Sequence, residues 1–325
     1  MPDALEFRAT HRADDGTKLV YAVQGDGPPV IMVHGFPESW ISWRHQLPVI
    51  AAAGYTAVAL QTRGYGDSDK PDPISAYTLT EMAADIVAVI DALGAEQAIL
   101  IGHDWGAGQV YATAILHPTR VQALVGMAMT AGPYVDRKVS QIWADHHPDK
   151  MFYQTYFWEP GVAESEFDSD PEHFLRLFLY ALAGDRPSDV NGLIRPAGTR
   201  KLLDGLPDPR PFPAWLPSDE LAYYAKSFRN GGFRGPLNRY RAQDLDVVQM
   251  RPFADRKIEQ PSVYIGGERD PARYLVPGFD RYIDPIPRCI DPRGVHVLEG
   301  IGHWIQQEAP EQVNAIILNF LASLR

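Results

Sequence analysis

An α/β fold, with a mostly parallel sheet flanked by helices and a mostly helical insertion, follows from three features of the sequence. Short apolar runs alternate with stretches of helical period between residues 19 and 129. Repeated strand–helix units of this kind build a parallel sheet covered on both faces. The alternation stops after Gly132-Pro133 and resumes at Ser262. Within the first region, a strand-like run, Ala98-Ile99-Leu100-Ile101, meets a helix-like run, Ala107 to Leu116, across the short turn Gly102-His103-Asp104-Trp105-Gly106. Small residues at both ends of that turn let strand and helix backbones approach closely around a strained central residue.

The elements follow in order. Leu19 to Gln24 and Val30 to Val33 are expected strands, separated by a Gly-Asp-Gly-Pro-Pro turn. Trp43 to Ala53 is helix-like, and Thr56 to Leu60 is the next strand. Arg63-Gly64-Tyr65-Gly66-Asp67-Ser68 is a structural glycine turn, too short and poorly placed to cradle a phosphate. Thr80 is the expected N-cap of a helix running to Leu93, with Glu81 and Asp85 early in it and Gly94 ending it. A buried strand is expected near Ala123 to Met129. Residues 134–244 are dominated by aromatics, prolines and helical stretches, among them Pro171 to Leu182, Leu221 to Phe228 and Pro236 to Gln243, without strand-like alternation. The expected organisation is therefore a core domain of residues 1–133 and 245–325, with residues 134–244 as a helical cap. Ser262 to Gly266 and Val295 to Leu298 return to the sheet, and a helix from Pro310 to Leu324 closes the chain.

Composition narrows the function. With 325 residues and 45% hydrophobic content the chain can bury a large core. A formal net charge of −11 argues against a nucleic-acid partner. The polar, mixed-charge stretch Met1 to Asp15 carries no signal-peptide pattern, and no apolar run is long enough to span a bilayer. The single cysteine, Cys289, excludes an intrachain disulfide and fits a reducing, cytoplasmic setting, as a packed or partly exposed thiol without an evident partner for catalysis.

The turn at Asp104 has the form of a nucleophile elbow with an aspartate where a serine usually sits. An ordinary aspartate is ionised at neutral pH and needs no base before it attacks. It can displace an alkyl leaving group and form an ester, which leaves a histidine free to activate water. Asp104, Asp270 and His303 follow in the order nucleophile, acid, histidine, the last two just past expected strands and so at the same sheet edge. Glu268 is a weaker candidate for the acid. His34-Gly35-Phe36-Pro37 follows a strand, so the amides of Phe36 and Trp105 would form an oxyanion hole. His34 and His103 read as structural, because no further His or Cys is spaced to complete a metal site.

Together with Gly302-His303-Trp304, the stretches His34 to Trp40 and Gly102 to Gly106 resemble the epoxide hydrolases of the α/β-hydrolase fold. Tyr153 to Gly161 and Phe233 to Tyr240 are similar to that family's two lid-tyrosine segments, and the resemblance covers nearly the whole chain. It implies that Tyr153 and Tyr240 donate hydrogen bonds to the epoxide oxygen, with Tyr156 the alternative for the first. Phe36, Trp105, Gln154, Phe157 and Trp304 are the candidate substrate-binding residues. The expected partners are a small apolar epoxide and water, with no metal or organic cofactor, no nucleic acid and no membrane, in a monomer or homodimer. The chain departs from the common pattern at Gln61, where relatives often carry an acidic residue.

A haloalkane or haloacid dehalogenase would use the same aspartate, with donors for a departing halide. Trp105 could be one, but the tyrosine pair and Phe36 favour the epoxide. A ligand-binding member of the fold without turnover would tolerate loss of a catalytic group, and this chain keeps them together.

Overall fold

The computed structural model describes residues 4–325, so the first three residues of the Met1 to Asp15 stretch lie outside it. Among the described residues, eight strands form one sheet in the order β1-β2-β4-β3-β5-β6-β9-β10. They are β1 (Glu6–His11), β2 (Lys18–Gln24), β3 (Pro29–Val33), β4 (Thr56–Gln61), β5 (Ala98–His103), β6 (Val121–Met127), β9 (Ser262–Gly267) and β10 (Pro292–Leu298). From β4 to β10 every pair is parallel, whereas β1 and β2 are antiparallel.

Side chains of a strand alternate between the two faces of a sheet. In β5, Ala98 and Leu100 accordingly enter one apolar layer, with Ile86, Val89 and Ile90 of helix α2 and Val110 and Ala114 of helix α3. Ile99 and Ile101 enter the other, with Leu47 and Ile50 of helix α1 and Val313, Ile317 and Phe320 of helix α12. These helices are α1 (Leu47–Ala52), α2 (Leu79–Ala92), α3 (Trp105–Leu116) and α12 (Pro310–Ala322), the last preceded by the short α11 (Ile305–Glu308).

Between β6 and β9 the chain leaves the sheet. It forms α4 (Val139–His146), α5 (Tyr153–Trp158), α6 (Val162–Phe167), α7 (Pro171–Leu182), α8 (Ser218–Gly231), α9 (Arg234–Arg241) and α10 (Gln243–Met250). A third apolar cluster joins Phe157, Phe167, Phe174, Phe178 and Phe233 of this insert to Phe36 and Trp105 at the sheet edge.

Several boundaries differ from the sequence expectation. Strand β1 lies in the stretch read only as polar, because an edge strand with exposed side chains has no apolar pattern to reveal it. The helix expected from Trp43 begins only at Leu47, after a 3-10 turn at Trp40–Trp43. Helix α2 is entered from Thr78, not Thr80, and its first free amide, Leu79 N–H, is taken by Asp246 Oδ1 at 2.7 Å, across 167 residues of sequence. The helix expected from Pro236 to Gln243 breaks at Ala242, between α9 and α10. The insert also contains a small antiparallel pair, β7 (Met151–Phe152) with β8 (Ile194–Arg195), too short to show alternation.

The β5–α3 turn explains its two glycines. A Cβ on Gly106 would lie 1.9 Å from the Val33 carbonyl oxygen, and one on Gly102 would lie 2.3 Å from the Gly106 oxygen. Strand β3 therefore packs directly on the start of α3. The substitution G106A should push β3 away from α3 and cost about 3 kcal/mol or more, since the clash is with backbone that cannot rotate aside. Urea unfolding of wild-type and variant protein measures this, and a loss under about 1 kcal/mol would mean the contact is looser than described.

Candidate active site

Register brings the carboxyl ends of the central strands to one edge: Val33 pairs with Gly102, His103 with Met127, Met127 with Ile265 and Leu298 with Gly267. The residues that follow these ends meet there. Asp104 sits in the turn after β5 with φ 50° and ψ −123°, a conformation costing about 1–3 kcal/mol for a residue with a Cβ. Its amide is held by the Met127 carbonyl at 3.1 Å, and its carbonyl accepts from Ala107 N–H at 2.9 Å. The carboxylate Oδ1 accepts the Phe36 amide at 3.0 Å, and the Trp105 amide also stabilises its charge. A Cβ on Gly35 would lie 2.4 Å from that oxygen, so only glycine lets the β3 loop come this close.

His303 is buried beside Asp104. Its Nδ1 lies 2.9 Å from Asp270 Oδ2, and its Nε2 lies 3.7 Å from Asp104 Oδ2, beyond hydrogen-bond distance. Asp270 is fixed in turn. It accepts the Ala272 amide at 2.8 Å and the Tyr282 hydroxyl at 2.6 Å, and a 3-10 turn, Pro271–Tyr274, follows it. Glu268 instead accepts the Gly300 amide at 3.0 Å and does not face the histidine. His103 is fully buried and bridges Glu38 Oε2, at 2.6 Å, to the His303 carbonyl, at 2.7 Å. Glu38 also accepts the Gly35 amide and the Gln306 side chain, and so ties the β3 loop to the histidine loop. Among the described residues, no group of three or more His, Cys, Asp or Glu is arranged to hold a metal.

The charges are coupled. Burial pushes the Asp104 carboxyl above its ordinary value, against the pull of His303, His103 and the two amides. Burial alone would lower His303, but the charge and hydrogen bond of Asp270, then Asp104 and Glu38, raise it to about 9. Asp270 is held below its ordinary value because His303 and the Tyr282 hydroxyl outweigh its burial.

Two buried tyrosines of the insert face this edge, Tyr153 on α5 and Tyr240 on α9, with ring centroids 5.8 Å apart and nearly perpendicular. Tyr240 meets Phe36 and Trp105 edge-on, each at 5.5 Å. Burial, then the Asp104 charge, raises both hydroxyls well above the ordinary tyrosine range, so both stay protonated donors. Tyr156 gives its hydroxyl to Glu166 at 2.8 Å instead, and Glu166 also takes the Leu202 and Leu203 amides. Of the candidate substrate contacts, Phe157 packs on Phe36, Tyr153 and Tyr240. Gln154 donates to Tyr153 Oη at 2.7 Å. Trp304 is fully buried, edge-on to His303, with its indole N–H on the Leu179 carbonyl. A cavity of about 400 Å³ adjoins the site at Trp105 and Gln243, walled by Met129, Tyr134, Trp143 and Arg281.

Sequence reasoning missed Tyr282 and Tyr65, and gave Glu38 no role. Tyr65 is buried within electrostatic reach of Asp104 and Glu38. No local pattern marks either tyrosine; Glu38 carried a signal, its place three residues after Gly35. Gln61 accepts the Asp67 amide at 2.7 Å, so at this position it closes the following turn.

Residues 28–310 match the model of the alpha/beta hydrolase fold family. The chain is 37% identical over 309 residues to epoxide hydrolase A of Mycobacterium tuberculosis, covering 94% of each protein. It is 35% identical to epoxide hydrolase 2 of Siraitia grosvenorii, covering 94% of this chain and 96% of that one. Among solved structures, an epoxide hydrolase from an endophytic Streptomyces superposes with a TM-score of 0.91 at 38% identity, covering 99% of this chain and 96% of its own. Epoxide hydrolase A from Mycobacterium thermoresistibile does so with 0.91 at 36% identity, covering 99% of each.

Glu38 sets an acid limit on this assembly. Burial would raise its pKa, but the His103 ring, His34 and the Gly35 amide lower it to about 2. A carboxyl whose pKa is depressed on folding stabilises above its unfolded value and loses that contribution as pH falls towards the folded one. The variant E38Q should therefore be less stable than wild type by about 3 kcal/mol near pH 6, and the gap should close between pH 4.5 and 2. Urea unfolding at stepped pH tests this, and a gap that does not change with pH refutes it.

Proposed function

The chain belongs to the epoxide hydrolases of the α/β-hydrolase fold, and from that premise we propose that its reaction runs in two halves through an ester on Asp104. The observation that supports this most directly is one carboxylate, held by the Phe36 amide, facing two buried tyrosine hydroxyls. In the first half an oxygen of Asp104 attacks one epoxide carbon, and the bond from that carbon to the ring oxygen breaks. Tyr153 or Tyr240 gives its proton to that oxygen as charge develops on it. The product is a hydroxyalkyl ester of Asp104.

Ester formation removes the Asp104 charge. One of the groups that raises His303 is thereby lost, so its pKa falls; the proton it gives up returns the tyrosinate left by the first half to its hydroxyl, and His303 is neutral at the stage that needs a base. His303, oriented by Asp270, takes a proton from water. The hydroxide adds to the ester carbonyl, and the amides of Phe36 and Trp105 stabilise the oxyanion. Collapse breaks the acyl–oxygen bond, releases a vicinal diol and restores the carboxylate. In this reading residues 134–244 act as a cap that brings the tyrosines to the core. Phe36, Trp105 and Phe157 would form the apolar walls, while Gln154 and Trp304 would hold Tyr153 and His303 in place. A halide route would call for N–H donors opposite Asp104, and the two insert side chains facing it, Tyr153 and Tyr240, carry O–H.

The variant H303Q should accumulate the ester, seen by intact mass as the variant's own mass plus one epoxide after incubation with styrene oxide. In a single turnover of wild-type enzyme in ¹⁸O-water, the first diol should be unlabelled, because its new oxygen comes from Asp104. Labelled diol in that turnover, or no adduct on H303Q, rejects the covalent route.

A further inference from the structure

We propose that Gln243 is a positioning residue that acts through Gln154 to fix the direction of the Tyr153 proton; this rests on the role given to Tyr153 above. Gln243 opens α10 and is buried, as is Gln154. Its Nε2 lies 2.9 Å from the Tyr240 carbonyl and 2.9 Å from Gln154 Oε1. Gln154 Nε2 lies 2.7 Å from Tyr153 Oη.

The polarity of this chain is set from one end. A backbone carbonyl can only accept, so the Gln243 atom facing Tyr240 must be its NH₂. The same NH₂ faces Gln154, which must then present its oxygen. The Gln154 amide is planar, so its NH₂ is turned towards Tyr153. The Tyr153 oxygen therefore accepts from Gln154, and its own proton is directed away from the amide and is free for a substrate oxygen. Without the donor at residue 243 the Gln154 amide can turn over and present its oxygen to Tyr153. The hydroxyl would then give its proton to Gln154 instead. Because the second N–H of Gln243 binds the Tyr240 carbonyl, one amide also links the two segments that carry the tyrosines.

A double-mutant cycle on the two half-reactions tests this. Wild type, Q243M, Y153F and Q243M/Y153F are mixed in excess with styrene oxide, and formation and decay of the Asp104 adduct are followed by quenched-flow mass spectrometry. In the Tyr153 background, Q243M should slow adduct formation by about tenfold, the scale expected for a misdirected general acid, and leave adduct decay unchanged. In the Y153F background, Q243M should change adduct formation less than about twofold, because the group it directs is gone. An equal loss in both backgrounds, a parallel loss in adduct decay, or no loss at all overturns the role. If Q243M does not fold, as judged by circular dichroism, Q243L replaces it in the same cycle with the same expected outcomes. Absence of any adduct in wild type would overturn the two-step reading itself, a result distinct from an additive cycle on an active enzyme.

Discussion

The hydrogen bond from the Phe36 amide to the Asp104 carboxylate is the contact on which the reactive edge depends. It spans 68 residues and exists because β3 and β5 are neighbours in register and nothing larger than hydrogen projects from Gly35. The strain of Asp104 at φ 50° is offset by the same closeness, since the Met127 carbonyl and the start of α3 hold both sides of its backbone. A carboxylate presented this way is already bound to the amides that would stabilise a tetrahedral oxyanion on it. Donors that are in place before charge develops need no reorganisation when it does.

The electrostatics follow from that placement. Asp104, Asp270 and Glu38 all raise one histidine, yet they are not equivalent. Asp270 and Glu38 are locked by hydrogen bonds that no chemistry at the site would disturb, Asp270 by Tyr282 and Ala272, Glu38 by Gly35 and Gln306. Asp104 is the one whose charge a covalent step could remove. The fixed pair sets a baseline for His303, and the third is variable, which is the arrangement a histidine needs if it is to be a poor base before ester formation and a better one after it.

How much of this the sequence revealed depends on the range of each interaction. Asp104 was legible because its glycine neighbours, strand and helix lie within a few residues of it. Asp270 and His303 were legible because both follow strands that must end at the same edge. Tyr282, twelve residues beyond Asp270, was not, since only the fold of the intervening loop returns its hydroxyl to that carboxylate. The same holds for Asp246, which supplies the first acceptor of α2 from α10, and which made Thr80 seem the better cap to local reasoning. Tyr153 and Tyr156 share a helix and could not be separated by sequence. Glu166, ten residues on, takes the hydroxyl of Tyr156 and leaves Tyr153 facing Asp104.

The two tyrosines are tied to the sheet very differently. Tyr240 rides on α9, whose first turn meets the core glycine to glycine: a Cβ on Gly235 would lie 2.8 Å from the Gly64 Cα. Its neighbour Arg239 is buried, stacked 4.6 Å over the Trp105 ring and bonded to Asp246 and to the Tyr77 carbonyl. Burial lowers that guanidinium to about 9, so its partners must compensate a real desolvation cost, and separating α9 from the core would leave a charge unpaired. Among the described residues, Tyr153 has no such hydrogen bond or ion pair to the sheet. Its side chain is tied to α9 and α10 through Gln154 and Gln243, and its helix packs against α9. Tyr240 is thus built as part of the core's edge, with Tyr153 registered against it through side-chain amides. An opening of the insert that preserves the Arg239 contacts and moves α5 away from α9 would have to break both the glutamine link and the bonds of Arg241 to the Phe157 carbonyl and Glu164.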